Sequence, residues 1–140
     1  MATVVREPRS NYFALWFGFL GAPAAWSIQE LATLAITSHV CYPMNEPLHA
    51  PVVSGMWWTD LAIVIGSLLV GLAALAVAIA EWRKHRPAGD VDWRGEFAEA
   101  SGGRAARYLA FSGILFGIMF NAINFYSGVA IFLVPLCGFH

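Results

Sequence analysis

From Leu61 to Ala80 the chain reads LAIVIGSLLVGLAALAVAIA, twenty residues without a charge. A helix of about 20 apolar residues is what it takes to cross the hydrocarbon core of a bilayer. Two further apolar runs are longer still, Tyr12–Val40 with a single acid and Tyr108–Val134 with none. Composition fits the same reading. Of the 140 residues, 59% are hydrophobic and only 12% charged, against about 25% charge in soluble domains. That is too little charge to cover a soluble surface.

The expected fold is an all-α membrane protein with three transmembrane helices, at about 12–40, 57–82 and 108–134. They form one membrane domain, 1–140, with a polar tail (1–11), a loop with three prolines (41–56) and a polar loop (83–107). The thirty residues of 108–137 are too few for two spans. Ala22-Pro23-Ala24 imitates a signal-peptidase site, but the apolar run continues beyond it and proline disfavours cleavage. Pro23 is expected to kink the first helix.

Charge gives an orientation. The basic residues are Arg6, Arg9, Arg83, Lys84, Arg86, Arg94, Arg104 and Arg107, all in the tail or the 83–107 loop. The positive-inside rule places those segments, and the N-terminus, in the cytoplasm. The 41–56 loop and the C-terminus then face the periplasm. Trp57 and Trp58 mark the outer interface and Trp82 the inner one. Within the cytoplasmic loop, DVDWRGEFAEA could lie on the membrane surface as a short helix, dipping Trp93 and Phe97 into the headgroups. A net charge of −1 and the lack of an aromatic-interleaved basic patch exclude nucleic acid as a partner.

Because lipid tails are as apolar as leucine, spans associate through close backbone contact and polar links. Small residues suited to this are Gly18 and Gly21, Ser67 and Gly71, and the GxxxG pair Gly113 and Gly117. They imply contact with each other or with a partner. A polar stripe of Trp26, Glu30, Thr33, Thr37 and Cys41 follows one face of the first helix. Asn121 and Asn124 share a face of the third, and Asp60 lies one turn inside the second. At 1.5 Å per residue, Asn121, Asn124 and Glu30 lie about 21, 25 and 27 Å above the inner interface. An intramembrane polar cluster of Glu30, Asp60, Asn121 and Asn124 is therefore expected in the outer half. An acid in a span costs on the order of 3 kcal/mol at the bilayer centre, so Glu30 needs a reason. Three are open: a helix-gluing bond to Asn121 or Asn124, a contact to a partner subunit, or a proton or ion relay.

Cys41 and Cys137 fall at the outer ends of the first and third helices. In an oxidising periplasm they can form a disulfide. For an unfolded soluble chain, closing a loop of about 100 residues is worth roughly 4.7 kcal/mol, less where insertion already confines the ends. An alternative is a copper or zinc site of His39, Cys41, Cys137 and His140. Two free structural thiols are a third possibility. His49 and His85 read as loop residues. No GxSxG, HExxH, P-loop or nucleotide fingerprint is present, and no internal repeat suggests a transporter. No enzyme activity and no cofactor of its own are expected, copper apart.

Three features together resemble a known family: Gly21-x-Pro23-x-x-Trp26 with Cys41 just past the helix, Arg107 leading the third span, and the closing Pro135-x-Cys137. These are similar to small three-helix proteins of proteobacteria encoded beside haem-copper cytochrome c oxidase subunits. Glu30 departs from the pattern. The resemblance implies a bacterial inner-membrane setting and a non-catalytic accessory subunit packed against larger subunits of a respiratory complex. The alternative is a periplasm-facing thiol or copper assembly factor for such an oxidase; a third reading, from Glu30 and not from the resemblance, is a small proton-relay or transport component.

Overall fold

The computed structural model describes residues 11–42, 55–85, 101–134 and 137, with backbone alone at 101–104. The expected surface helix at 90–100, together with His49, Pro135 and His140, lies outside the described residues. Three helices make up the described chain: α1 (Tyr12–Cys41), α2 (Met56–Lys84) and α3 (Ser101–Leu133). α1 continues through Pro23 without a break in its assigned span. α3 starts at Ser101, earlier than the expected Tyr108, because Ala106 and Ala110 bury against Leu15 of α1, with Trp82 of α2 packed alongside. Entry into α2 uses Gly55 at φ 87°, a left-handed backbone that glycine adopts without strain.

Each helix touches the other two. α2 runs antiparallel to its neighbours: Gly18 and Gly21 of α1 meet Ala78 and Ala74, while Gly71 meets Asn121 and Gly117 meets Leu75. α1 and α3 run parallel. Their pairing keeps one register over most of its length, from Gly18 against Gly113, through Glu30 and Ser127, 97 residues apart, to Cys41 and Cys137, 96 apart.

The seam is built of small residues. Of the eight buried apolar side chains among the described residues, five are alanines: Ala22, Ala74, Ala78, Ala106 and Ala110. Backbones approach closely there. A Cβ on Gly113 would stand 2.7 Å from the Gly18 carbonyl oxygen, and one on Gly21 would stand 2.7 Å from the Ala74 Cβ. The small-residue motifs thus bring these helices to one another, through close packing.

Large apolar side chains point outward, among them Ile28, Leu31, Leu34, Leu69, Ile118 and Phe132. α2 and the Ala105–Leu133 part of α3 are long and apolar enough to cross a membrane, with mean hydropathies of 2.7 and 1.7. Only 22% and 17% of those stretches are buried inside the protein, so their apolar surface is not spent on an internal core. The third expected span fares differently. α1 has 30 residues but does not meet the same apolarity criterion, since Pro23, Ser27, Gln29, Glu30 and its threonines dilute it.

At the end that carries Arg83, Lys84 and Arg107, Trp82 does more than mark an interface. Its ring meets Phe111 at 5.4 Å, and the Arg107 guanidinium lies 5.4 Å from its centroid. Glu81 is buried there and accepts a 2.6 Å hydrogen bond from Lys84 Nζ. At the opposite end Trp57 stacks on Trp58 and meets Phe132 of α3 edge-on.

Candidate functional site

The polar residues gather at the end of the bundle away from the basic cluster, beneath a covalent strap. Cys41 and Cys137 form a disulfide with their Cα atoms 5.4 Å apart. With both sulfurs bonded to each other, neither is a thiolate ligand, so the His39, Cys41, Cys137, His140 metal set does not exist in this oxidised form. His39 is exposed at the end of α1, and His140 lies outside the described residues. No group of three His, Cys, Asp or Glu side chains gathers among the described residues.

Below the strap lies a cavity of about 300 Å³. α1 lines it with Gln29, Glu30, Thr33 and Thr37, α2 with Asp60, and α3 with Ser127. Thr37 is one helical turn below Cys41, which puts the strap over the cavity's upper edge. The apolar side of the wall comes from Val64, Ala130, Ile131 and Val134.

Two of the expected cluster residues line this cavity, and two sit deeper. Asn124 Nδ2 donates to Ser67 Oγ at 2.7 Å, tying α3 to α2. Asn121 Nδ2 donates to the Gly117 carbonyl of its own helix at 2.6 Å, and its oxygen fills the space where a Gly71 side chain would be. Of the three roles left open for Glu30, the bond to Asn121 or Asn124 is not made. Glu30 instead accepts a 2.9 Å hydrogen bond from Ser127 Oγ.

Burial also redistributes the roles. Glu30, the expected buried acid, is exposed. Asp60 is the buried one, at 0% exposure. The cause is helical phase. The inward face of α1 passes through Leu15, Gly18, Ala22, Gln29 and Cys41, and Glu30 stands one position, about 100°, off that line. Gln29 and Ser127 are the members that sequence reading missed. Extending the Gly18–Ala22 seam by two turns would have reached Gln29, and Ser127 lies one turn beyond Asn124.

The electrostatic character of the site follows from what lacks a partner. Seven buried side-chain atoms among the described residues make no hydrogen bond. Six are oxygens: Gln29 Oε1, Thr33 Oγ1, both carboxylate oxygens of Asp60, Asn121 Oδ1 and Asn124 Oδ1. The seventh is Trp26 Nε1, whose indole meets the Phe120 ring at a tilt, with centroids 5.4 Å apart. Buried acceptors in native proteins are almost always satisfied, and leaving one bare costs about 1–3 kcal/mol, more for a charge. Four of the six, on Gln29, Thr33 and Asp60, belong to residues that line the cavity. Its chemistry suits protons, water or a cation.

A second concavity, about 530 Å³, lies between α1 and α2 on the outside of the bundle. Small residues floor it: Gly21, Ala24, Ala25 and Gly66, with Phe17, Leu20, Ile28 and Val70 around them. A Cβ on Gly66 would meet nothing within 4 Å. Comparison of the chain with protein-family models, with curated proteins and with solved structures finds no match.

Proposed function

We propose that the chain crosses a bacterial inner membrane three times, with its N-terminus in the cytoplasm and its C-terminus in the periplasm. Its role there is that of a non-catalytic accessory subunit of a respiratory complex, a haem-copper cytochrome oxidase on the resemblance described above. α1 is as long as a span requires and packs against two helices that are apolar enough to cross. Arg83, Lys84 and Arg107 lie at the end of the bundle opposite the disulfide, as the positive-inside rule requires of this orientation.

The observation that carries the accessory role is the outer groove between α1 and α2. Glycines and alanines inside the bundle are already used against one another, whereas Gly66 and its neighbours open outward. A stripe of small residues flanked by Leu20, Ile28 and Val70 admits close approach of another apolar helix. The occupant in this reading is a transmembrane helix of a larger subunit.

Purification of the tagged chain from its own membranes in mild detergent tests the role. Larger subunits and a haem absorbance band should accompany it, and Gly66→Leu should strip them away while the chain alone stays folded. Elution of the wild-type chain by itself would refute the accessory reading. The same preparation tests the copper or thiol alternative. That reading needs two titratable thiols and bound copper, where the disulfide leaves none.

A further inference from the structure

We propose that the cavity beneath the disulfide binds one hard monovalent cation of the sodium class, with Asp60 as its anionic ligand. The inference rests on the cavity alone and holds whether or not a larger subunit docks on the outer groove. Three observations lead to it.

The first is the bare carboxylate. Asp60 is fully buried, and neither of its oxygens has a donor. An isolated buried carboxylate is strongly unfavourable unless something neutralises it. Among the described residues no arginine, lysine or histidine lines the cavity, so none of them supplies the compensating charge.

The second is the company Asp60 keeps. Gln29 is 2% exposed with its carbonyl oxygen unpartnered, and Thr33 Oγ1 is likewise bare. Both line the same cavity, with Thr37 one turn above. Oxygen ligands without thiolate or imidazole select hard cations over copper or zinc. The donors also come from two helices, α1 and α2, so a bound ion would link them next to the strap.

The third is charge. Of the two acids among the described residues that line the cavity, only Asp60 is buried, so a single positive charge balances the buried part of the site. Glu30 sits exposed and is held by Ser127. Placed there, at the exposed edge of the cavity, it attracts cations toward Asp60. A divalent ion would need Glu30 as a second carboxylate ligand.

Thermal unfolding of the purified full-length chain in detergent provides the test, at constant ionic strength in sodium chloride or in choline chloride. Sodium at ten times its dissociation constant should raise the midpoint by about 4 °C over choline. Equilibrium binding of radioactive sodium should saturate near one ion per chain. Asp60→Asn keeps the size and removes the charge. It should abolish both effects and, in choline, unfold at a higher temperature than the wild type, because the bare charge is gone. Thr33→Val, which keeps the acid, should bind sodium several-fold more weakly. Thiol counting without reductant confirms that each variant retains its disulfide and hence its strapped fold. Equal midpoints in sodium and choline, or sodium binding unchanged in Asp60→Asn, would overturn the proposal and leave Asp60 a protonated acid. Stabilisation by calcium but not by sodium would overturn the monovalent assignment.

Discussion

Gly113 and Gly66 both lack a Cβ but have opposite surroundings, and the contrast yields a test of how the bundle is held. Replacing either by alanine removes backbone freedom from the unfolded chain and improves helix propensity by about 0.8–1 kcal/mol. At Gly66 nothing lies within 4 Å of the new methyl, so Gly66→Ala should stabilise by about that amount. At Gly113 the new methyl would stand 2.7 Å from the Gly18 carbonyl oxygen, 3.0 Å from its carbon and 3.2 Å from the Ala78 Cβ. Backbone cannot swing aside as a side chain can, so α1 and α3 must separate by roughly half an ångström. Overpacking of this kind costs about 1–3 kcal/mol. The propensity gain is common to both variants and cancels in the comparison. The two should therefore differ by about 1–3 kcal/mol, with Gly113→Ala the less stable. Equilibrium unfolding by titration with a denaturing detergent, followed by far-ultraviolet circular dichroism, reads the difference. Equal midpoints would mean that the helices do not meet at Gly18 and Gly113, and the small-residue seam would have to be abandoned.

Other outcomes follow from the same geometry. The Ser67–Asn124 hydrogen bond joins two helices in apolar surroundings, so a double-mutant cycle with Ser67→Ala and Asn124→Ala should return a coupling of about 0.6–1.7 kcal/mol. A coupling of zero would place that bond outside the folded state. Cys137→Ser should lower unfolding stability measured without reductant by less than the roughly 4.7 kcal/mol of a free chain, and reductant should then have no further effect on the variant. Trp82→Leu removes the ring beneath Arg107 and should cost about 0.5–1 kcal/mol beyond the packing loss. A double-mutant cycle with Arg107→Met should return a coupling of that size, and a coupling of zero would show that the guanidinium gains nothing from the ring.

The existence of three helices, their approximate limits and the meeting of Cys41 with Cys137 were legible in the chain. Each rests on something local. Long apolar runs bounded by charge or proline dictate helices, and an odd number of connected antiparallel segments brings the ends of the first and third to one level. The small-residue motifs were legible as contact points, though not as contacts within the bundle rather than with a partner. A glycine records that something approaches closely and says nothing of what.

The site was read less well, for a reason of phase. Glu30 drew attention as the acid in an apolar run, yet the helix turns it outward to Ser127. Gln29, one residue earlier, faces the interior. A one-residue step rotates a side chain by about 100°, and composition does not record which way a helix is turned. Asp60 looked like an edge residue near the start of α2, but the arrival of α1 and α3 on either side buries it completely. By itself the sequence determined how many helices form and how apolar they are, because these depend on neighbours along the chain. The tertiary structure decided which acid is enclosed and which oxygens surround it, because these depend on the rotation of each helix against the other two.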